Sequence, residues 1–178
     1  MSTATENTQL PRLIDPRKFA QQGLSLAGHV PVSELSRLAE ASLSGSDVVQ
    51  ADLEFDVDGE RHRLITGDAS CNLTVTCQRC LEAVEIELNA KLNLAIVWNE
   101  DRAKQLPKSM DPLILGEGQA SLYTIIEDEL LLNLPMVSYH KEDCIEQTSF
   151  GDGKAEKSAE SSSNPFQVLE QLKGSPKS

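Results

Sequence analysis

Three cysteines and one histidine form the most chemically suggestive pattern in this sequence. Cys77-Gln-Arg-Cys80 places two thiols at the spacing of a metal-binding pair, and His140-Lys-Glu-Asp-Cys144 adds an imidazole and a third thiol further along the chain. Together these side chains would supply three sulfurs and one nitrogen, a donor set that suits tetrahedral zinc. Structural zinc held by Cys77, Cys80, His140 and Cys144 is therefore one interpretation of the pattern.

Two other interpretations of the cysteines stay open at this point. Reduced thiols that pack in a core or lie near the surface would fit the same spacing, because one Cys-x-x-Cys pair is a weak signal. A thioredoxin-like redox site fits less well, since it needs the motif between a strand and a helix, and here the motif joins two strand-like runs. Cys71 shares a strand face with Cys77, and we expect it in the core.

Other catalytic patterns are missing from the sequence. It contains no Gly-x-Gly-x-x-Gly, no phosphate-binding loop, no nucleophile elbow and no His-Glu-x-x-His. The remaining histidines, His29 and His62, fall in predicted strand segments without a nearby nucleophile. We therefore predict a protein that is not an enzyme and has no small-molecule substrate.

The charge of the chain favours protein partners. With a formal net charge of -12 and only 4% aromatic residues, the surface on average repels phosphate and offers few rings for stacking on bases. This argues against strong direct binding of RNA and favours basic protein partners, since complementary charge speeds encounter. The N-terminal residues lack a signal-peptide pattern, and the apolar runs are too short to span a bilayer. We expect a cytoplasmic protein without membrane contact.

Hydrophobic periodicity predicts an α+β fold. A weak alternation over residues 24 to 30 predicts an opening strand, and strong alternation predicts three long strands over 48–57, 61–78 and 83–98. Asp58-Gly59 predicts a hairpin turn, so we expect an antiparallel sheet of long strands. Helical spacing over residues 32–43 and about 121–134 predicts the two main helices that cover this sheet. A polar loop over 99–118 contains one short edge strand at 113–115.

Composition divides the chain into four segments. Residues 1–12 are predicted to be a flexible N-terminus, 13–149 a single α+β domain, and 150–163 a disordered linker of small, polar residues. Residues 164–174 combine a cap residue, a following proline and apolar Phe166 and Leu169 at helical spacing, which predicts a short terminal helix. So short a helix must dock to form, either on its own domain or in a partner's groove.

The second main helix carries three acidic residues with different expected roles. Glu129 falls on the apolar stripe, so we expect an ion pair at the edge of the core, with Arg61, Arg63 or Arg79 as its partner. Glu127 and Asp128 are instead expected to be exposed and to contact a partner.

Three motifs in this order resemble those of the YceD family of bacterial and plastid proteins. They are Cys77-Gln-Arg-Cys80, Glu127-Asp-Glu-Leu-Leu-Leu-Asn-Leu-Pro135 and Asn164-Pro-Phe-Gln-Val-Leu-Glu-Gln-Leu-Lys173; Leu13-Ile-Asp-Pro16 and Gly67-Asp68 also fit. The resemblance implies a role in the synthesis, processing or stability of large-subunit (23S) ribosomal RNA, without catalytic residues to carry over. Some relatives carry additional cysteines near the position of Cys144, which implies a metal-site ancestry.

Three functional hypotheses follow. The first is a factor for accumulation of the large ribosomal subunit that acts through basic ribosomal or RNA-processing proteins, with a binding surface that includes Arg79, Glu127, Asp128, Phe166 and Leu169. The second is a zinc knuckle that binds RNA and presents Arg79 to a phosphate. The third is a thiol oxidoreductase that uses the Cys-x-x-Cys motif.

Overall fold

Five strands form one mixed sheet in the computed structural model, which describes residues 8–145. In spatial order they are β2 (Ser25–Pro31), β3 (Val48–Val57), β4 (Arg63–Thr76), β5 (Ala83–Val97) and β6 (Asp111–Ile114). The first four are antiparallel, which confirms the predicted meander of long strands. The short β6 pairs in parallel with β5, a pair that the antiparallel prediction did not include. Residues 98–110 bring the chain back to the level of Leu94, so that β6 runs in the same direction beside the last four residues of β5.

The remaining elements are helices and a small second sheet, most of which cover one face of the large sheet. The elements are β1 (Leu13–Ile14), α1 (Pro16–Gln22), a 3₁₀ turn (Val32–Glu34), α2 (Ser36–Ala41), α3 (Glu100–Ala103), β7 (Ala120–Ser121) and α4 (Leu122–Leu132). The predicted covering helices α2 and α4 are present, and β1 pairs with β7. The first covering helix is shorter than predicted, because Leu35 adopts non-helical dihedral angles between the 3₁₀ turn and α2. Pro31 ends β2 and does not begin a helix.

Strand alternation puts the core on the inner face of the sheet. Leu53 and Phe55 of β3, Ile65 and Leu73 of β4, and Leu88 of β5 are all at most 1% exposed. Their neighbours along each strand, such as Asp52 and Glu54, point outward and are exposed. Helix α4 adds Leu122, Ile126 and Leu130, each 0% exposed, so the helices close the inner face and leave much of the outer face to solvent.

The segment before β1 is attached to the fold. Leu10 is 4% exposed, and its N–H donates to the His29 carbonyl at 2.9 Å. The Tyr123 hydroxyl donates to the Leu10 carbonyl, also at 2.9 Å. The prediction of a flexible N-terminus is therefore wrong for residues 8–12, because Leu10 fills a place in the core. The predicted linker over 150–163 and the terminal helix over 164–174 lie outside the described residues.

Gly67 allows two strands to approach closely. It lies within β4 at φ +143°, and a Cβ atom there would collide with the carbonyl group of Asp52 on β3. We expect Gly67→Ala to lower the free energy of unfolding by about 1–3 kcal/mol, because the backbone must shift or accept strain. Urea unfolding measures this change. Gly45→Ala is the control, since its Cβ would meet no atom within 4 Å; equal effects of the two substitutions would contradict the steric argument.

Candidate metal centre

The turn between β4 and β5 holds the first two candidate ligands. The Cys77 N–H donates to the Glu82 carbonyl at 2.8 Å, and the Leu81 N–H donates to the Cys77 carbonyl at 2.9 Å. Leu81 adopts a left-handed backbone angle, φ 66°, which is uncommon for a residue other than glycine. Its side chain is 76% exposed. This left-handed residue reverses the chain directly after Cys80, so that both thiols lie on the same side of the turn.

The segment that follows α4 brings the other two ligands to this turn. The Gln78 N–H donates to the Ser138 carbonyl at 2.8 Å, which attaches the segment beside the Cys-x-x-Cys motif. His140 then lies with Nε2 at 3.0 Å from the Ala83 carbonyl. Since a carbonyl oxygen only accepts, Nε2 carries the proton and Nδ1 keeps its lone pair. This outer hydrogen bond is typical of histidines that ligate metals.

The four ligand atoms have the spacing of a tetrahedral site. All of them lie within 4.8 Å of one another. The Sγ atoms of Cys77 and Cys144 are 3.8 Å apart, and Sγ of Cys80 lies 3.4 Å from Nδ1 of His140. A regular tetrahedron with zinc–sulfur bonds of about 2.3 Å has edges of about 3.8 Å. The residues predicted as ligands are thus brought together in an arrangement that fits a metal ion.

The thiols differ in their electrostatic surroundings. Burial raises the pKa of Cys77, but the backbone N–H groups of Cys80, Arg79 and His140 outweigh it and lower that pKa to about 5. Burial and the neighbouring thiols raise the pKa of Cys144. Burial also raises the pKa of Cys71, to about 11, and this residue packs in the core as predicted. The cluster therefore contains one thiol, that of Cys77, which readily loses its proton and can bind a metal ion as the thiolate.

A wide groove of about 1560 Å³ runs beside the cluster. Arg79 lies at its edge, where its guanidinium is 5.2 Å from the Tyr139 ring centre and 3.3 Å from the Asp143 carboxylate. Exposed apolar side chains occur on the same turn, at the end of α4 and on the segment that follows it: Leu81, Leu132, Met136, Val137 and Tyr139. Arg79 is exposed as predicted, but it already has an acidic neighbour.

Comparison with known proteins agrees with this arrangement of motifs. The family model described as "Large ribosomal RNA subunit accumulation protein YceD" matches residues 65–173, a span that includes the whole Cys/His cluster. The chain belongs to the YceD family. A protein of Haemophilus influenzae with that same description is 32% identical over 171 residues, which cover 94% of this chain and 98% of the relative. No solved structure matches.

The YceD motif in α4 contains a buried ion pair at a residue that we expected to be exposed. Glu127 is 5% exposed, and its carboxylate accepts hydrogen bonds from the Arg37 side chain at 2.8 and 3.1 Å. Its other oxygen accepts from the N–H groups of Arg37 and Leu38 at 2.8 and 3.2 Å, so it caps α2. The expected exposure of Glu127 is therefore wrong. Asp128 is exposed as predicted, and it also pairs with Arg37 at 2.6 Å.

Glu129 forms no ion pair among the described residues, which corrects the expected pair with Arg61, Arg63 or Arg79. Burial raises its pKa, with smaller contributions from the carboxylates of Asp111 and Asp128. Sequence reasoning missed Arg37, although it is the only basic residue of the 3₁₀ turn and α2. A single positive charge on a helix that was predicted to cover the sheet could have indicated a pairing with an acidic residue of the other covering helix.

The predicted partner-binding residues Phe166 and Leu169 lie outside the described residues. Among residues 8–145, no helix is both long enough and apolar enough to cross a membrane.

Proposed function

We propose that this protein supports the accumulation of large-subunit ribosomal RNA as a non-enzymatic factor that acts in the cytoplasm through contacts with basic proteins. Membership of the YceD family carries the proposal, because the matching model and the Haemophilus influenzae relative are both described by that role. The partners would be ribosomal or RNA-processing proteins rich in lysine and arginine, since these complement a chain of net charge -12.

The outer face of the sheet is a suitable surface for such a partner. Exposed carboxylates project from three adjacent strands: Asp52, Glu54 and Asp56 of β3, Asp68 of β4, and Glu85 and Glu87 of β5. Asp52 lies directly opposite Asp68 across the β3–β4 pair. Like charges in directly opposite positions destabilise a sheet. A basic partner would remove this repulsion on binding, and we call these six residues the acidic face.

Neutralising the acidic face should therefore have opposite effects on folding and on binding. We expect Asp52→Asn to raise the free energy of unfolding by about 0.2–1 kcal/mol, because it removes the repulsion with Asp68 and leaves the pairing of Asp68 with Lys91 in place. A variant with Asp52→Asn, Glu54→Gln and Asp68→Asn should recover fewer ribosomal proteins from lysate. The control variant neutralises Glu100, Asp101 and Glu117, which lie outside this face. Equal recovery by the two triple variants would contradict the proposed surface.

Depletion tests the function itself. Removing the protein from its own cells should lower the ratio of large-subunit to small-subunit ribosomal RNA, and the wild-type chain should restore that ratio. An unchanged ratio after depletion would contradict the proposed role. If the acidic-face variant restored the ratio as fully as wild type does, the proposed role would stand but the acidic face would not be the binding surface.

We also propose that zinc occupies the Cys77, Cys80, His140 and Cys144 cluster and has a structural role. The tetrahedral spacing, the oriented imidazole and the sulfur-rich donor set support zinc over harder cations. The four side chains would fill all four positions of a tetrahedral zinc ion and leave none for water or substrate, which is typical of structural sites. Bound zinc would connect the β4–β5 turn to the segment after α4 and so fix the groove beside it.

The alternative of a zinc knuckle that presents Arg79 to RNA has less support. Arg79 already pairs with Asp143, and the neighbouring acids Glu82, Glu85 and Glu142 also line the groove. Such surroundings disfavour a phosphate. The oxidoreductase alternative is also weaker, because Cys77 is 0% exposed and the motif lies between two strands.

A further inference from the structure

A second, smaller pocket lies at the opposite end of the long strands from the metal centre. It has a volume of about 260 Å³ and forms where β4 begins and β5 ends, beside α3 and the residues that follow it. Arg61, Arg63, Trp98 and Arg102 are among the residues that line it. We call it the Trp98 pocket.

Arginines without acidic partners concentrate at this pocket. Elsewhere in residues 8–145, Arg12 pairs with Glu34, Arg37 with Glu127 and Asp128, and Arg79 with Asp143. The other four arginines of that part of the chain form no ion pair within it, and all four lie at Trp98: Arg17, Arg61, Arg63 and Arg102. Uncompensated positive charge in one place is unexpected on so acidic a chain.

Two of the acidic residues near the pocket, Asp58 and Asp101, have partners of their own. Asp58 accepts from Nδ1 of His62 at 2.8 Å, and Asp101 lies 3.6 Å from the ammonium of Lys104. Burial lowers the pKa of Arg17, and the nearby charge of Arg63 lowers it further, while the carboxylates of Asp15 and Glu117 oppose this shift only in part. The Arg63 Nε is buried and has no hydrogen-bond partner among the described residues. An anion in the pocket would relieve this crowding of charge and accept from the donors that line it.

Trp98 provides a flat apolar surface beside these arginines. The Arg17 guanidinium lies 3.5 Å from the ring centre, and it donates to the carbonyls of Leu115, at 2.8 Å, Val97, at 3.3 Å, and Gly116. These bonds hold the guanidinium, which in turn supports the indole. Trp98 is nevertheless 49% exposed, so part of the ring is free to stack on a ligand.

We infer that the Trp98 pocket binds single-stranded RNA, with a phosphate among Arg61, Arg63 and Arg102 and a base stacked against Trp98. Guanidinium groups match phosphate oxygens in pairs, and exposed aromatic rings stack on unpaired bases. An acidic peptide would use the arginines but would leave the indole without a stacking partner. The inference rests on the proposed function only for the identity of the RNA. The acidic face would keep the RNA away from the rest of the sheet.

A fluorescence titration tests the inference directly, because Trp98 is the only tryptophan in the chain. Adding a short single-stranded RNA of mixed sequence to the purified full-length protein should quench its tryptophan emission, and binding should weaken as salt is raised. We expect Arg102→Gln and Arg63→Gln each to weaken binding about tenfold, since each removes a charge-assisted hydrogen bond. Each should also lower the slope of log affinity against log salt by about 1.

Arg12→Gln is the matched control, because Arg12 is an exposed arginine outside the pocket, and it should bind RNA like wild type. Arg102 is exposed on a short helix, so its replacement should leave the fold intact. Absence of quenching at low salt, or equal affinity of the Arg102→Gln and Arg12→Gln variants, would overturn the inference. Competition by polyglutamate as strong as by RNA would overturn it in favour of an acidic peptide. Purified protein is used throughout, so a failed depletion experiment would leave a positive RNA result standing.

Discussion

The purified protein is expected to contain about one zinc ion per chain, and Cys80→Ser is expected to weaken zinc binding by more than about 100-fold. Loss of an outer hydrogen bond to a metal ligand typically costs 10–100-fold in affinity, and loss of a ligand itself should cost more. Metal analysis of the purified protein, followed by competition with a chromogenic chelator, measures both quantities. A chain purified without zinc that also fails to take up added zinc would contradict the proposed site.

Cys71→Ala is the matched control for the zinc prediction. Cys71 lies in β4, the strand that leads into the turn with the candidate ligands, but it is buried in the core and outside the cluster. Its replacement should reduce stability without loss of zinc. Cys80→Ser should instead increase hydrogen exchange over residues 135–145, because zinc would no longer join that segment to the β4–β5 turn. If both variants kept their zinc, or both lost it, the four-residue assignment would be wrong.

Glu127→Ala is expected to lower the free energy of unfolding by about 3 kcal/mol. The substitution removes the acceptor for the first N–H groups of α2 and leaves Arg37 without its buried partner. Because the Arg37 side chain is 49% exposed and can turn toward water, the expected loss lies at the lower end for a buried ion pair. Urea unfolding followed by circular dichroism measures the change.

Asp128→Ala provides the control for this prediction. Asp128 bonds to the same guanidinium, but its side chain is 51% exposed, so its loss should cost less than about 1 kcal/mol. If the two substitutions lowered the free energy of unfolding by similar amounts, the helix cap and the burial of Glu127 would contribute little to stability.

The acid limb of the stability curve supplies a second test of Glu127. Burial raises the pKa of this carboxyl group, but bonds from the Arg37 side chain and the N–H groups of Leu38 and Arg37 lower it below its ordinary value of 4.5. A lowered folded-state pKa means that the contribution is complete above the ordinary value and is lost as pH falls through the folded-state value. The difference in stability between wild type and Glu127→Ala should therefore shrink in acid. A difference that stayed constant down to acid unfolding would contradict an ionised Glu127.

The proposed surfaces together suit a location where protein and RNA meet. The acidic face would contact a basic protein, while the Trp98 pocket at the edge of the molecule would contact a nearby strand of RNA. Both kinds of molecule are present in a large ribosomal subunit during its accumulation. The metal centre would fix the groove at the other end of the strands.

Local patterns in the sequence determined the long strands and the two main covering helices of this fold, although they did not indicate α1, α3 or the small second sheet. Alternation of apolar and polar residues identified the long strands and their buried faces, because successive side chains of a strand point to opposite sides. The Asp58-Gly59 turn placed β3 beside β4, and the Cys-x-x-Cys spacing marked the first half of the candidate metal centre. Each of these features depends on residues within a few positions of one another, where chain geometry alone limits the outcome.

Tertiary structure decided which acid of α4 would be buried. Helical spacing from Leu122 placed Glu129 on the apolar stripe, whereas the fold buries Glu127. Periodicity locates the centre of a buried helix face, but the neighbours that pack against the helix set its width. Helix α2 packs beside α4 and extends the buried face to Glu127, where Arg37 and two backbone N–H groups compensate its charge.

Local sequence patterns were also insufficient to predict the complete Cys/His cluster and the Trp98 pocket. The spacing of Cys77 and Cys80 indicates a candidate metal centre in the sequence, but only folding brings the Sγ atom of Cys144 to 3.8 Å from that of Cys77. Arg17 and Trp98 show no pattern at all in the sequence. They meet because α1 packs against β3 and β4, which brings the Arg17 side chain to the carbonyls of Val97 and Leu115. Spacing along the chain determines which side chains share a turn or a strand face. Contacts between distant segments depend instead on how the whole core packs, which no local pattern encodes.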